Sequence, residues 1–584
     1  MIWTAAPGLL LATVLVAVLQ AEIPVMHIYL TNLLVEAVAK AIGSGPTYLT
    51  AVYRLLGWQA ALGLLQIVVH GADRLNSVRL AQRASFHIDH LVSEKATNLP
   101  LSFFDLPEFY NKFQRASNGQ TSRAPELLRS VIRIAQNSLT LVSVITFVVQ
   151  FHWLLALGIV VAVVPVFLVN LRTGESRFAQ MLDQTSAARL AYYFNQLLRG
   201  REAAKEIRLF RLAEYLLGRW KQVFWKNANE QFTLEQQALA LQTGAQLLGT
   251  GASTVSLGLL VWLGAHGNIS LGVFVALMQA LITAQGQAQI VAIELASLYE
   301  NALFAAELVN FIDLPEADTH EGGVTSFPAP LTRGVSVTGL TFCYPNVSRP
   351  ALRDVSFTVR PGERIAIVGE NGAGKSTLVK CLLGLYAPSA GTIQYDGTDI
   401  RAIERESLYA NLSAAFQDYA RYYLTWRENI GFGQINRMND QSELAAAAAK
   451  GGAADLLPGL TNGYESMLGP LFDGGRELSQ GQWQKVALSR ALFRNAQVLV
   501  LDEPTASIDP AAEAAMFERF YQFTAGKIAF LISHRMGSCR IADRILVLKD
   551  GQLIEDGTHE ELMRLNGEYA RMVRIQSQWS PVTV

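Results

Sequence analysis

Six long apolar stretches in the first half of the chain restrict its fold more than any other feature. Each is long enough to cross the hydrocarbon core of a bilayer, which takes about 20 helical residues. Their predicted limits are 5–34, 50–72, 130–150, 153–171, 238–264 and 269–293. The first stretch lacks a basic leading region and a small-residue cleavage site, so we predict a retained span rather than a signal peptide. The pattern therefore predicts six transmembrane helices.

Charged residues are distributed unevenly between the two parts of the chain. Over all 584 residues, 51% are hydrophobic and 17% are charged, which excludes a disordered or collagen-like protein. Residues 1–312 hold 22 Lys+Arg and 18 Asp+Glu, whereas the other 272 residues hold 26 and 31. Neither balance indicates a nucleic-acid partner. We predict a transmembrane domain at 1–312, a Pro/Gly-containing linker at 313–334 and a soluble domain at 335–584.

The loops between the predicted spans indicate the orientation of the chain in the membrane. Residues 79–129 contain seven Lys/Arg and residues 172–226 contain eleven, whereas the loops on the opposite side contain one at most. By the positive-inside rule, both long loops, both termini and the soluble domain lie in the cytoplasm, with the spans in the inner or plasma membrane. The three cysteines all lie in the soluble part, and we interpret them as reduced thiols, as expected in a reducing compartment.

Polar side chains within the spans are candidates for contact with a transported molecule. Six glutamines lie on the last two spans: Gln242, Gln246, Gln279, Gln285, Gln287 and Gln289. Glu22 lies within the first span and Glu294 just past the sixth, while Arg54 and Arg133 lie near span ends, where long side chains can reach the interface. Such groups face a bundle interior or a wet cavity, either to bind a substrate or to hydrogen-bond between helices. The sequence leaves both interpretations open.

A glycine-rich loop after an apolar strand predicts a site for nucleotide phosphates. The strand Arg364–Gly369 runs into GENGAGKST, which fits the pattern G-x-x-x-x-G-K-[ST], and a helix is predicted at Leu378–Leu385. Backbone N–H groups of such a loop close around phosphate oxygens, helped by the helix N-terminus. Lys375 is expected to reach the β- and γ-phosphates, and Ser376 to bind Mg²⁺. The predicted nucleotide-binding residues of the loop are Gly369, Asn371, Gly372, Gly374, Lys375, Ser376 and Thr377.

Two acidic residues end a second apolar strand, predicted at Gln497–Leu501. Asp502, at the end of the strand, is placed to hold Mg²⁺ directly or through water. The next residue, Glu503, is placed to polarise an attacking water. Because the two acids have different roles, exchanging Glu503 for glutamine is expected to trap bound ATP rather than prevent its binding.

The segment Leu478–Gln482 (LSQGQ) precedes this strand and resembles the signature motif of ATP-binding-cassette ATPases. Four further residues match the family in order and spacing: the adenine-stacking Tyr344, the Q-loop Gln417, the D-loop Asp509 and the switch histidine His534. The resemblance implies that Gln417 links Mg²⁺ and water to the membrane domain and that His534 contacts the γ-phosphate. The signature residues are Ser479, Gln480, Gly481 and Gln482, and Gln480 replaces the commoner glycine. If that position required a positive φ, glutamine would be strained there.

Six spans fused ahead of one such cassette resemble an exporter half-transporter of this family. The resemblance implies an α-helical membrane domain with long cytosolic extensions, followed by an α/β P-loop ATPase domain with a helical subdomain. It also implies ATP and Mg²⁺ as cofactors and a second copy of the chain as partner, because the signature serine of one cassette completes the other's nucleotide site. A homodimer is favoured, since the chain carries both Glu503 and its own signature motif.

Each long loop contains a short element of mixed apolar and charged residues, Phe103–Phe113 and Phe210–Trp220. From spacing alone, these elements are either solvated helices that cap the bundle or elements that dock on the soluble domain. By the family resemblance they are identified as coupling helices, and we expect them to dock on the ATPase.

The cargo is the least determined feature of the sequence. The cassette segments Phe416–Gly433 and Gly474–Arg490 resemble those of bacterial exporters of lantibiotic-type peptides, but this similarity lies in the ATPase and not in the cavity. The leading hypothesis is an ATP-driven exporter of a peptide or amphiphilic small molecule by alternating access, with a lipid or glycolipid flippase as the alternative. A cytosolic ATPase of the chromosome-maintenance type is disfavoured by the six spans, and an importer by the fused cassette.

Overall fold

A computed structural model of the chain describes residues 6–44, 48–117, 120–266, 269–315, 323–503, 521 and 523–579. The chain divides into two compact units. The first comprises Met1–Asn98 and Pro107–Leu314, and the second comprises Leu99–Leu106 and Pro315–Val584. The short stretch Leu99–Leu106 therefore belongs with the C-terminal unit, although the residues on either side belong to the N-terminal one.

The first unit is entirely helical in its described residues. Its helices are α1 (Pro7–Ser44), α2 (Leu49–Asn98), α4 (Pro107–Ser117), α5 (Gln120–Val149), α6 (Trp153–Arg199), α7 (Ala204–Leu209), α8 (Ala213–Ala265) and α9 (Leu271–Ile312), and the helix α3 (Leu101–Phe104) belongs to the second unit. Within the described ranges, six helices are long and apolar enough to cross a membrane, namely α1, α2, α5, α6, α8 and α9. The prediction of six spans is confirmed.

The spanning helices are much longer than a bilayer requires. Helix α8 has 53 residues, about 80 Å at about 1.5 Å per residue, against a hydrocarbon core of about 30 Å. Helices α2 and α6, with 50 and 47 residues, likewise continue beyond the apolar segment into charged sequence. The predicted long extensions of the spans are therefore present as continuous helix.

The two predicted loop elements have different boundaries in the structure. Phe103–Phe113 is divided between α3 and α4, because the chain leaves the helical conformation before Pro107, which has no N–H to donate. In the second loop the separate short helix is α7, which lies N-terminal to the predicted element. Arg211 has a φ of 54°, and this turn ends α7 before Ala213 starts the long helix α8.

Two of the charged side chains that sequence analysis singled out, Arg133 and Glu294, are paired with each other. The Arg133 guanidinium lies 3.0 Å from the Glu294 carboxylate, and the Ser130 hydroxyl donates to the same carboxylate at 2.7 Å. These contacts join α5 to α9. Pairing of this kind is expected for ionisable groups near the ends of spans, because an isolated charge there is unfavourable. Glu294 thus has a structural partner and does not need a substrate to satisfy it.

Helices α6 and α8 approach each other closely at a glycine. A Cβ atom on Gly249 would lie 2.9 Å from the carbonyl oxygen of Ala162, which is a backbone atom and cannot rotate away. Small residues allow such close packing of helices in membranes, where dispersion contacts replace the hydrophobic driving force. The absence of a side chain at Gly249 therefore sets the spacing of this helix pair.

Exchanging Gly249 for alanine should lower the free energy of unfolding of the helical unit by about 1–3 kcal/mol, because the added methyl group forces α8 away from α6. Gly251 supplies a matched control, since a Cβ there meets no atom within 4 Å. Gly251→Ala should leave stability unchanged or raise it through helix propensity. Thermal unfolding of both variants in detergent checks the prediction, and equal melting temperatures would contradict it.

The C-terminal part of the second unit contains two sheets and the helices around them. The antiparallel sheet has the order β2-β1-β4-β5, and the larger sheet has the order β10-β9-β3-β8-β7-β6. The strands are β1 (Val335–Phe342), β2 (Leu352–Val359), β3 (Arg364–Gly369), β4 (Ala390–Tyr395), β5 (Thr398–Asp399), β6 (Leu412–Ala415), β7 (Val498–Asp502), β8 (Ile528–Ile532), β9 (Arg544–Lys549) and β10 (Gln552–Gly557). The α-helices are α10 (Lys375–Leu382), α11 (Arg405–Asn411), α12 (Trp426–Gly431), α13 (Gln441–Gly451), α14 (Gln480–Phe493), α15 (Met536–Cys539), α16 (His559–Leu565) and α17 (Glu568–Trp579).

The parallel strands at the centre of the larger sheet position the candidate site. β7 and β8 read VLVLD and IAFLI, and every residue of both strands is buried, as expected for strands covered on both faces. β8 pairs in parallel with β3 on one side and with β7 on the other. Because parallel strands end at the same edge of a sheet, the residues that follow β3, β7 and β8 lie close together there.

A second apolar core forms the helical subdomain within the same unit. Trp426 at the start of α12 and Trp483 in α14 are among its fully buried residues, together with apolar residues of α13. Helix α12 begins with a capping box in which Thr425 and Glu428 satisfy each other's backbone N–H groups. The predicted fold, a helical domain with six candidate spans followed by an α/β domain with a helical subdomain, is therefore present.

The segment predicted as a linker, 313–334, is described from residue 323 onward. Phe327 and Leu331 are buried against the core of the ATPase sheets. The Asp396 carboxylate accepts hydrogen bonds from the backbone N–H groups of Thr332, Arg333 and Gly334. These bonds hold the pKa of Asp396 below its ordinary value. Residues 323–334 are thus packed as part of the second unit.

Candidate functional site

The predicted phosphate loop joins β3 to α10 and has the backbone that its glycines allow. Gly372 and Gly374 have φ angles of 80° and 100°, which are left-handed conformations that other residues rarely adopt. A Cβ on Gly374 would lie 2.7 Å from the carbonyl oxygen of Ala351. Both this close approach and the left-handed φ exclude a side chain at position 374. Asn371 is exposed beside these glycines, while the helix α10 starts at Lys375, three residues before the predicted start.

Lys375 is buried at the mouth of the loop and folds back onto it. Its ammonium donates to the carbonyl oxygens of Gly369 and Glu370 at 2.9 and 3.0 Å. Burial lowers the pKa of Lys375, while the carboxylates of Glu503 and Asp502 oppose part of this shift. A buried ammonium bound only to neutral carbonyl groups is well suited to exchange these bonds for anionic oxygens.

Asp502 ends β7 beside the phosphate loop. Burial raises the pKa of Asp502 to about 6, with a further contribution from the neighbouring Glu503 carboxylate, while a hydrogen bond from the Ser376 hydroxyl acts in the opposite direction. The hydroxyl and the carboxylate are therefore adjacent. Both are hard oxygen ligands of the type that Mg²⁺ prefers, so the residues present fit this ion.

Glu503 has the densest set of polar contacts in the described site. The Gln417 amide donates to one carboxylate oxygen at 2.7 Å, and Nε2 of His534 lies 2.8 Å from the other. The backbone of Glu503 has a φ of 48°, a strained conformation for a residue with a side chain. The Glu503 N–H donates to Ile532 at the end of β8, and this bond helps to hold the strained turn. Three residues that are distant in sequence, Gln417, Glu503 and His534, thus meet at one carboxylate.

His534 follows β8 and is partly exposed. Burial lowers the pKa of His534, the charge of Lys375 lowers it further, and the Glu503 carboxylate opposes both. The neutral imidazole can donate a hydrogen bond through Nε2 to Glu503. His534 therefore contacts the Glu503 carboxylate and lies close enough to Lys375 for the charge of Lys375 to affect its pKa.

Tyr344 lies at the phosphate loop and connects to a segment from the N-terminal half of the chain. Its hydroxyl is 3.0 Å from the Thr377 hydroxyl in α10, and its ring packs edge-on against Tyr386 at 5.5 Å. The Tyr386 hydroxyl in turn donates to the Asp105 carboxylate at 2.6 Å. Burial and this contact with Asp105 raise the pKa of Tyr386. Asp105 belongs to the stretch Leu99–Leu106, so the predicted first docking element supplies a direct contact within the ATPase unit.

The signature segment forms the N-terminus of α14. Ser479 caps the helix: its hydroxyl accepts from the Gln482 N–H, and the Gln482 side chain accepts from the Ser479 N–H. Gln480 is the first helical residue and Gly481 the second, so the position of the unusual glutamine is right-handed. The strain considered for Gln480 is therefore absent. Ser479 and Gln480 are exposed and present the helix N-terminus to their surroundings.

Two contacts of this region could not be found from the sequence motifs. The Tyr419 hydroxyl donates to the backbone carbonyl of Gln480 at 2.9 Å, joining the segment after Gln417 to the signature helix. The Gln484 amide donates to the backbone carbonyl of Glu503 at 3.1 Å and supports the strained turn. Neither residue belongs to a recognisable pattern, and only the fold brings them to the site.

One predicted site residue cannot be placed. Asp509, the candidate D-loop residue, lies in 504–520, outside the described residues. The other candidates fall into two groups in the structure. The phosphate loop, Asp502, Glu503, Gln417, His534 and Tyr344 are linked by the contacts above, whereas the signature residues 479–482 connect to this group through Tyr419.

Comparisons with known proteins agree with this arrangement. Residues 352–506 match the family model described as ABC transporter. The chain is 28% identical to the subtilin transport ATP-binding protein SpaT of Bacillus subtilis, over 100% of this chain and 94% of that protein. It is 29% identical to the ATP-dependent lipid A-core flippase of Methylobacillus flagellatus, over 85% of this chain and 83% of that protein. Its fold matches the structure of a bacterial Atm1-family ABC exporter with ATP bound, with a TM-score of 0.87 and 23% identity, over 98% and 99% of the two chains.

Proposed function

The chain belongs to the ABC transporter family of ATP-hydrolysing membrane transporters, and from this premise we propose that it is an exporter that moves a peptide or amphiphilic small molecule out of the cytosol. The observation that carries the proposal is the set of contacts at Glu503. A carboxylate held by Gln417 and His534 beside a phosphate loop is equipped for hydrolysis, and the same chain has six candidate spans. We assign the transport path to residues 1–312 and the ATPase to residues 335–584, with 313–334 between them.

The residues of the site divide the chemistry among themselves. The loop Gly369–Thr377 holds the phosphates, and Lys375 exchanges its two carbonyl partners for phosphate oxygens. Ser376, Asp502 and Gln417 hold Mg²⁺, which when bound offsets the charge of the phosphates. Glu503 accepts a proton from the attacking water, and His534 orients Glu503 and contacts the γ-phosphate. Tyr344 supports the adenine ring, and Asp509 acts as the D-loop residue.

A second copy of the chain is the partner that this site requires. Ser479 and Gln480 are exposed, and the proposed role of the signature is to complete the nucleotide site of the other copy. Leu209 and Phe210, at the end of α7, are 75% and 62% exposed, and a second copy can cover this apolar tip. Because the chain has both Glu503 and a signature, two identical sites form in a homodimer. Light scattering of the purified protein with ATP measures the expected dimer mass.

In the proposed orientation the chain spans the inner or plasma membrane, and the ATPase and both termini lie on the cytoplasmic side. This orientation rests on the excess of Lys/Arg in the long loops, which stay on the cytoplasmic side. When two ATPase domains close on ATP, the membrane domain is held in one of its two states. Hydrolysis of ATP allows the membrane domain to return to the other state, and ATP thereby drives alternating access. The partners of the chain are then its second copy, the surrounding lipids and the transported substrate, with no role for nucleic acid.

The alternative function is a lipid or glycolipid flippase of the same fold. Its support is the similarity to a protein named as a lipid A-core flippase, while the similarity to a subtilin transport protein supports a peptide. ATPase activity in proteoliposomes, measured against a panel of peptides and lipids, separates the two. Stimulation by lipid but not by peptide favours the flippase. Equal hydrolysis by wild type and Glu503→Gln would remove the transporter proposal altogether.

Tyr386→Phe should reduce transport per ATP several-fold while basal hydrolysis stays within about twofold of wild type. The change removes only the hydroxyl that joins Asp105 to the ring packed on Tyr344, and a hydrogen bond to a charged group contributes about 1.5–3 kcal/mol. Tyr395→Phe is the matched control, because its buried hydroxyl donates to the Leu382 carbonyl and makes no contact with Asp105. Cargo uptake into inverted vesicles, divided by phosphate release, is the measurement. Equal ratios for both variants would show that the Asp105 contact does not couple.

A further inference from the structure

The helical unit contains a polar cavity between three of its spanning helices. Two adjoining pockets of about 280 and 350 Å³ lie between α6, α8 and α9, and they share Val166, Gln246 and Gln289 in their walls. Helix α6 forms the back of the cavity, since both α8 and α9 pack along it. The cavity lies wholly within one unit of one chain.

Glutamine side chains dominate the polar wall of this cavity. Gln242 and Gln246 lie four residues apart on α8, and Gln285 and Gln289 lie four residues apart on α9. Residues at this spacing share one face of a helix, so each helix contributes a short row of amides. Gln242 donates to the Asn170 side chain at 2.9 Å. Among the described residues, no protein group hydrogen-bonds to the side-chain amides of the other three, which remain free to bind a ligand.

The cavity offers no free charge to a ligand. Its single lining cation in the described residues, Arg177, is held by two parallel hydrogen bonds to the Glu235 carboxylate, at 3.0 and 2.9 Å. Such a bidentate pair satisfies both partners. A phosphate-bearing head group would find no unpaired cation here, and a cationic molecule would find no unpaired carboxylate in the wall.

The spacing of the amides matches an extended peptide. Residues four apart on a helix are separated by about 6 Å along its axis. Alternate residues of an extended chain are separated by about 6.6–6.8 Å and point the same way. Glutamine offers one acceptor and two donors, so it can pair with both the N–H and the C=O of a peptide group.

On the basis of the proposed transport function, we propose that this cavity binds an uncharged, extended peptide segment through its backbone amides, with Gln246 of α8 and Gln289 of α9 as the principal contacts. A cavity with free amides and no unpaired cation among its described residues favours a peptide as cargo over an anionic lipid.

Binding to the purified full-length protein in detergent tests the proposal without relying on hydrolysis. The probe is an uncharged peptide of alternating alanine and serine with acetyl and amide caps, measured by isothermal titration calorimetry. A second probe has the same sequence with methylated backbone nitrogens, which removes the N–H donors and keeps the bulk. We expect the methylated peptide to bind at least about fivefold more weakly, because each lost hydrogen bond contributes about 1 kcal/mol.

Gln246→Leu and Gln289→Leu should each weaken binding of the unmethylated peptide at least about fivefold, while Gln246→Asn, which keeps the amide, should retain more of it. Gln279→Leu is the matched control, because Gln279 lies on α9 but does not line the cavity. Melting temperatures establish that each variant is folded. Equal affinity for the methylated peptide, unchanged affinity in both leucine variants, or phosphatidylglycerol as the preferred ligand would overturn the proposal. Failure of the transport function itself is distinguished by a different result, equal ATP hydrolysis in wild type and Glu503→Gln.

Discussion

Replacing Glu503 by glutamine should lower ATP hydrolysis at least about 100-fold while ATP binding is retained, because a positioned general base contributes about 10²–10⁴ to such a rate. Glutamine has nearly the same shape as glutamate but cannot accept a proton from water at neutral pH. In the proposed site the contacts that hold ATP come from the phosphate loop, which the substitution leaves in place. Phosphate release measures the first part of the prediction and nucleotide titration of the purified protein the second.

Glu560→Gln serves as the control for this experiment. Glu560 is exposed in the first turn of α16 and has no proposed role at the nucleotide site, and the substitution makes the same chemical change. Its hydrolysis rate should equal that of wild type. If Glu503→Gln were slower than wild type but kept more than about one tenth of its rate, another group would have to be the base. Loss of ATP binding in Glu503→Gln would instead assign Glu503 to nucleotide binding.

The motifs that carry the phosphate chemistry were predictable because each is local in sequence. A loop that wraps a phosphate is built from consecutive backbone N–H groups, so its glycines, Lys375 and Ser376 must follow one another. The strand before the loop was predicted with its observed limits, Arg364–Gly369. The six spans were predictable for a similar reason, since the bilayer requires a continuous apolar run in each.

The contacts that organise these motifs were not predictable, because they join residues that only the fold brings together. Asp105 and Tyr386 are 281 positions apart, and no pattern marks either of them. The strained φ of Glu503 is invisible in the sequence, because glutamate has no preference that signals a left-handed conformation. The two predicted loop elements were located only approximately, since a turn at Arg211 rather than a composition change sets the end of α7.

The sequence identified the glutamines of the last two spans but could not tell which of them line a cavity. Six were candidates for substrate contact from the sequence, and the structure separates them. Gln242, Gln246, Gln285 and Gln289 line the cavity, whereas Gln279 does not. The distinction depends on how α8 and α9 are rotated against α6, and this rotation is set by packing contacts such as that of Gly249 with Ala162.

Arg490 should be the residue whose loss most damages the helical subdomain. Arg490 lies partly buried in α14, and its guanidinium donates to the backbone carbonyl of Asn429 at 2.7 Å and to the Asn429 side chain at 3.1 Å. It also donates to the Ala420 carbonyl at 3.2 Å and lies 4.6 Å from the centre of the Tyr422 ring. One side chain thus fastens the segment after Gln417 to the helix that carries the signature.

Arg490→Met should destabilise this subdomain by about 2–4 kcal/mol, because it leaves the two carbonyl oxygens of the buried Asn429 without this donor. Hydrogen–deuterium exchange of peptides from residues 416–493 should increase, and ATP hydrolysis should fall because Gln417 and Ser479 are no longer held in register. Arg437→Met is the matched control, since Arg437 pairs with Glu443 on the surface of the same subdomain and exposed pairs contribute about 0–1 kcal/mol. Arg490→Lys should give an intermediate result, because one ammonium cannot reach all of these acceptors.

Equal exchange in the two methionine variants would mean that the subdomain is held by its apolar core around Trp426 and Trp483 alone. The segment from Gln417 to Tyr422 would then move independently of the signature helix.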